Sequence, residues 1–338
     1  MNTADSALPA LDVPAAPVVC AQTGWAVIDV TGADAVAFLQ GQLSSDVRAL
    51  APGEGQYWSY NSPKGRMLAN GVLWRPPGGT TDRIVVVVSA DLAESFSRRL
   101  AMFVLRAKVA VRDGRHERSL IGVAGGDAVQ AVRSALGVEC SPLTAVRFAD
   151  DASALMLPDG RIVVHSPAAG AALTHAALAR HAATGDADLW RWFGIAAGVP
   201  VITAATTDLF VPQAANWDAL GGVSFRKGCY PGQEIVARMQ YLGRLKERLH
   251  AFGTDDEPPA SGVRVYSAAF GDGQACGTVV NAAPGASGGS VMLAVVQAAA
   301  VEADDLRLGA PDGPAMTRLS LPYALPDAPV TPRAPRIA

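Results

Sequence analysis

Cysteine is scarce in this chain of 338 residues: there are four, at positions 20, 140, 229 and 276, and no two form a CxxC pair. The five histidines do not cluster with them. This pattern excludes a zinc ribbon and a resident iron–sulfur cluster held in a cysteine cradle, so no metal site is expected. So thin a thiol content in a long chain fits a reduced, cytoplasmic protein better than a disulfide-stapled one. Charge is sparse as well. Only 17% of residues are charged and the formal net charge is −3, so no overall basic field advertises nucleic-acid binding.

Long apolar runs are missing: "IVVVV" at 84–88 is far too short to cross a bilayer. The opening "MNTADSALPALDVPAAPVVC" has neither the basic nor the continuous apolar region of a signal peptide and reads as a flexible tail, residues 1–20. No internal repeat and no heptad pattern is found. G-x-G-x-x-G, Walker A, H-E-x-x-H and G-x-S-x-G motifs are all absent, and "GVAGGD" at 122–127 reads as an ordinary turn between a strand and a helix.

What is present is a globular chain, half of it apolar, long enough for two or three domains. Trp25–Val30 has strand character, and Asp34 stands as an N-cap for a helix with Val36, Leu39 and Leu43 on one face. Residues 56–75 resemble a hairpin turning at Asn61, Pro63 and Gly65. Ser89 caps a helix marked by Leu92, Phe96, Leu100 and Phe103; residues 120–136 repeat the strand–turn–helix plan; 168–183 and 186–198 read as two more helices. Past Arg244 the texture changes to short strand candidates separated by Gly, Pro and Asp, as in a small antiparallel barrel. The expected organisation is α+β over 21–243, a β-barrel over 244–326 and a second tail over 327–338.

The chemistry concentrates in "RKGCYPGQEIVAR", residues 226–238. If Gln233 and Glu234 open a helix, Cys229 lies near its positive end and two residues from Lys227, and both favour the thiolate. Gly228 and Gly232 give the loop freedom to adopt positive φ or to approach a ligand closely. A cysteine buried in a tight turn accounts for the same residues equally well.

The segment "LGGVSFRKGCYPGQEIVARMQYLG" resembles the signature of the YgfZ family of folate-binding proteins, paralogues of the glycine-cleavage aminomethyltransferase, or T-protein. The pattern K-G-C-Y-x-G-Q-E is unbroken at Lys227, Gly228, Cys229, Tyr230, Gly232, Gln233 and Glu234. Weaker similarity runs through 25–47, "PKGRM" at 63–67 and "LPYALPD", with 100–185 matched only in texture. The resemblance implies three lobes around a central hole that binds tetrahydrofolate, the last lobe a β-barrel. It implies that two tryptophans, here Trp25 and Trp190, flank the folate, with Trp192 on another helical face as core. Indole faces suit a flat pterin. It also places Gly228, Tyr230, Gln233 and Glu234 at the folate and makes Cys229, with Lys227, the functional thiol.

One departure stands out. Where T-proteins carry an acidic stretch after the glycine turn, this chain has Met67, Leu68, Ala69 and Asn70. Asparagine is no general base and cannot steady a cationic centre, so aminomethyl transfer is expected to be lost. The resemblance implies a folate-binding accessory factor for making or repairing iron–sulfur proteins of the 4Fe–4S class, including a tRNA-methylthiolating enzyme. Its expected partners are folate and, transiently, iron–sulfur client or assembly proteins, with no membrane and no direct nucleic-acid contact. The alternatives are a one-carbon transferase acting on tetrahydrofolate, with Cys229 or another group in place of the lost aspartate, and a thiol-redox protein for which folate is incidental.

Overall fold

The computed structural model describes residues 8–326 apart from 22, 79–82, 242, 244 and 272. The outer parts of the two expected tails, 1–7 and 327–338, lie outside the described residues.

Three sheets form the framework. The first has the strand order Gly55–Asn61, Met67–Trp74, Arg83–Ser89, Trp25–Thr31, Ala110–Asp113, all antiparallel. Its centre is the β-branched run Ile84–Val88, buried on both faces, as suits a strand with no alternation. The hairpin of 55–61 and 67–74 turns through Gly65 at φ 72, as the Asn–Pro–Gly signal anticipates. The second sheet runs Ala183–Gly185, Val18–Cys20, Arg118–Ala124, Ile162–Pro167, Ala152–Met156, Ala145–Ala149. Helices Ala128–Leu136 and Ala171–Leu178 pack over it. The third sheet, built from 247–254, 264–266, 275–284, 290–297, 307–308 and 317–319, is antiparallel and curled into a half-barrel.

Several expectations need correction. Val18–Cys20 is not tail but strand, antiparallel to 122–124 and parallel to 183–185, with Cys20 fully buried. Phe103 lies beyond the end of helix Ala93–Ala101 and is exposed. Asp34 does sit at the start of helix Ala35–Gln40, but its carboxylate accepts from the Lys108 amide at 2.7 Å instead of capping the helix. The expected C-terminal β-barrel stands as a curled antiparallel sheet: strand 307–308 pairs with 264–266 and, through Met316 N to Leu306 O and Leu308 N to Pro314 O, meets the segment that runs into strand 317–319 on 247–254.

A continuous core joins the sheets, and two smaller cores fill the outer sides of the second and third. Charge also ties the first sheet to the second. Asp29 accepts from Arg83 and Arg118 at 2.8 and 3.0 Å, and both arginines also reach Asp151. His165 is buried beside this network. Burial, followed by the nearby Arg83, pulls its pKa down to about 4.

Candidate functional site

Helix Ala187–Ala196 is where the lobes converge. Asp186 caps it, accepting from the Leu189 amide at 2.8 Å, and its buried side carries Trp190, Trp192, Phe193 and Ile195. Trp190 enters the second sheet over Gly122, where a Cβ would lie 2.4 Å from the indole Cε3. Only glycine leaves room for the ring. Across from it, Trp25 begins its strand in the first sheet, paired with Ser89. The two indoles meet edge to face at 5.4 Å. Trp192 is core, as its different helical face suggested.

Arg161 completes the group. It follows the Pro158–Asp159–Gly160 turn, is 4% exposed, and lies 5.0 Å from the Trp190 ring and 5.8 Å from that of Trp25. Asp159 holds it bidentately at 3.0 and 2.8 Å. Burial works against the guanidinium charge, and the facing Asp159 carboxylate more than offsets this, so its pKa is raised. Gly194 makes the approach possible: a Cβ there would stand 3.0 Å from an Arg161 Nη. Reasoning from sequence missed Arg161, since nothing local separates an arginine after a turn from a solvated one.

Trp25, Trp190 and Arg161 line a cavity of about 310 Å³. Its walls include Ser89 from the first sheet, Val199 and Val201 from a loop, and Asn281 from the third sheet. A second cavity, about 650 Å³, lies on the other side of Arg161, is mostly apolar, and is edged by Tyr57, Asp159, Phe193 and Tyr323. Trp190 is 1% exposed, and among the described residues its Nε1–H, like those of Trp58, Trp192 and Trp217, has no hydrogen-bond partner.

The loop beyond helix Ala187–Ala196 is clasped from two sides. Asn70 donates to Pro200 O at 2.8 Å and accepts from the Ile202 amide at 2.7 Å. Asn281 does the same to Val201, at 2.9 and 2.7 Å. Both ends of the Asn70 amide are thereby used in fixing a wall. The carboxylates on the two cavities are engaged as well, Asp91 by Ser89 Oγ and the Ala204 amide, Asp159 by Arg161.

The signature loop lies elsewhere, against helix Ala35–Gln40 and the hairpin turn of the first sheet. Lys227 is buried, and its Nζ donates to the carbonyls of Gln40, Leu43 and Ser45 at 2.5, 2.5 and 3.0 Å. Burial pulls its pKa down to about 8, while three acceptors suit a three-donor ammonium. The cation expected to act on Cys229 is thus committed to the end of helix Ala35–Gln40. Cys229 itself is exposed. Tyr230 is buried with its ring 5.0 Å from Lys227 Nζ, and Gln233 Oε1 accepts from the Tyr230 amide at 3.2 Å. Helix Gln233–Tyr241 starts where expected, with Glu234 exposed in its first turn.

Gly232 has φ 76, and a Cβ there would be 2.3 Å from Ser62 O, so the loop presses against the hairpin turn. Gly228 has open space around it and does not take up positive φ. Trp25 and Trp190 therefore share a cavity, whereas Lys227, Gly228, Cys229, Tyr230, Gln233 and Glu234 form a separate cluster and line neither cavity described above.

The chain is 31% identical over 305 residues to a protein from Enterobacter sp. (strain 638) named tRNA-modifying protein YgfZ, covering 89% of this chain and 91% of that one. The chain belongs to the YgfZ family. The protein of the same name from Escherichia coli O7:K1 matches equally, 31% over 305 residues, with 89% and 91% of the chains covered. That from Sodalis glossinidius is 33% identical over 242 residues, 70% of this chain and 72% of its own. No protein-family model matches. Among solved structures, the glycine cleavage system aminomethyltransferase T from Bartonella henselae superposes with a TM-score of 0.74, covering 92% of this chain and 87% of that one. At 17% identity this establishes the fold alone. The YgfZ-family chain thus keeps the aminomethyltransferase architecture while Asn70 holds a wall of its cavity.

Proposed function

We propose that the chain binds tetrahydrofolate in the cavity lined by Trp25, Trp190 and Arg161 and serves as an accessory factor in making or repairing 4Fe–4S proteins, those that modify tRNA among them. The observation that carries the folate reading is a cavity walled by the Trp25 and Trp190 indoles and the buried Arg161 guanidinium. Flat indole faces suit a reduced pterin, and the guanidinium of Arg161 can donate to its ring carbonyl and nitrogens. The adjoining 650 Å³ cavity leaves room past Arg161 for the rest of the molecule. When bound, tetrahydrofolate supplies a carrier for one-carbon units.

Arg161 would orient the ring system, Trp25 would cover it, and the clasped loop at 199–202 would shut out water. The occupied amide of Asn70 and the engaged carboxylates of Asp91 and Asp159 favour an accessory role over aminomethyl transfer. The tRNA side of the reading is supported by the relatives' name, tRNA-modifying protein, and the iron–sulfur side by the family resemblance and the exposed thiol of the family loop.

The test is a strain lacking the protein, supplied with wild type, Trp25→Ala or Cys229→Ala. Activity of a 4Fe–4S dehydratase and the methylthio content of tRNA are read out. Wild type should restore both and the two variants should not. Full restoration by both variants would contradict the proposal.

A further inference from the structure

At the end of helix Ala93–Ala101 the chain turns outward through Met102, Phe103 and Leu105, which are 63%, 46% and 87% exposed. One exposed apolar side chain needs no explanation, but three large ones within four positions do. Leu105 is moreover held at φ 47, a region a bulky side chain seldom enters. The fold therefore keeps a strained backbone at the point where it displays its most exposed leucine.

The segment itself is cationic, with the Asp34 carboxylate set against the Lys108 amide at 2.7 Å. Residues 98–112 contain Arg98, Arg99, Arg106, Lys108 and Arg112 and no carboxylate, in a chain whose net charge is −3. Arg98 is neutralised by Glu94, and Arg115 nearby by Asp113. Among the described residues Arg106 and Lys108 make no ion pair, and Arg99 contacts only Tyr60, 5.9 Å over its ring and 3.4 Å from its hydroxyl. Tyr60 pairs with Leu43, whose carbonyl is one of the three held by Lys227. A single row of contacts thus links this knuckle to the loop of Cys229.

We propose that Met102, Phe103 and Leu105, with the neighbouring Arg99, Arg106 and Lys108, dock a partner protein that presents an amphipathic helix with an apolar stripe and acidic flanks. Protein interfaces concentrate Met, aromatics and Arg at their centres, which is the composition displayed here. Nucleic-acid interfaces are more polar and do not call for Met and Leu at the centre. A second copy of the chain would set the same unpaired cations against one another. The proposal is independent of the folate reading.

The test uses the full chain and a fluorescein-labelled synthetic helical peptide with leucines on one face and glutamates on the other, followed by anisotropy. The peptide should bind wild type and weaken with added salt. Affinity should fall about tenfold or more for Phe103→Ser with Leu105→Ser, and for Arg106→Glu with Lys108→Glu. A peptide with lysines for glutamates should prefer the charge-reversed variant. The substituted positions are exposed, so thermal melts should stay unchanged. The proposal is overturned if the acidic peptide fails to bind or binds every variant equally. It is likewise overturned if the same variants instead abolish binding of a labelled RNA hairpin or self-association in sedimentation velocity.

Discussion

Two positions separate Lys227 from Cys229, and the fold buries one and leaves the other in solvent. Lys227 Nζ satisfies the carbonyls of Gln40, Leu43 and Ser45, so Lys227→Met would leave three acceptors without a donor. A hydrogen bond from a charged group contributes about 1.5–3 kcal/mol, so the loss should be on the order of 3 kcal/mol by urea unfolding. Cys229 should be alkylated first of the four thiols, by mass spectrometry at neutral pH. Cys20 and Cys276 are buried, and burial pushes the Cys20 and Cys140 thiols up to about 11. Labelling of Cys140 or Cys276 ahead of Cys229 would show that the loop is not arranged as described.

At the scale of elements, two close approaches depend on glycine. Gly232 lies against Ser62 O and Gly65, and Gly65 in turn lies where a Cβ would be 2.7 Å from Ile235. Gly232→Ala adds a clash to an unfavourable φ and should cost on the order of 2 kcal/mol by denaturant titration. Gly122→Ala would push Trp190 out of its place and should weaken folate binding along with stability.

Most elements were legible because their signals are local: glycine turns, the β-branched run at 84–88, and the Gly, Pro and Asp breaks between the strands of the third sheet. The strand Val18–Cys20 was not legible, since its three residues follow prolines and exist only through partners at 122–124 and 183–185. The tryptophan pair came from the family resemblance. Arg161 and the two asparagine clasps were hidden, because their meaning lies in contacts distant in sequence. Lys227 was noticed, but the direction of its side chain is a tertiary fact.

For the whole molecule, the lobes are held together by a shared core, by the Asp29–Arg83–Arg118–Asp151 network and by the asparagine clasps. This assembly should be sensitive to acid. Burial, with Arg83 next, depresses His165 to about 4; burial, with Arg318 next, depresses His250 to about 3. The unfolded chain takes up these protons near pH 6.5, before the folded one does. The stability they contribute is therefore complete above about pH 6.5 and is lost as pH falls through about 4 and 3, on the order of 3 kcal/mol for His165 alone. Melting temperatures should be level from about pH 7 to 8 and fall steadily below about 6.5. A melting temperature unchanged down to about pH 4 would rule out buried neutral histidines.

The central claim is that Trp25, Trp190 and Arg161 form a tetrahydrofolate site at the meeting of the lobes. Anaerobic calorimetric titration of tetrahydrofolate into wild type, Trp25→Ala and the conservative Trp190→Phe tests it most directly. Trp25 is only partly buried and Phe can fill most of the indole's space, so both variants should fold. Wild type should bind, and loss of one stacking face should weaken binding by about 1–3 kcal/mol, roughly 5- to 150-fold. Trp190→Phe, which shrinks the aromatic face on the cavity, should bind more weakly than wild type. No binding by wild type, or equal affinity in all three folded proteins, would contradict the account.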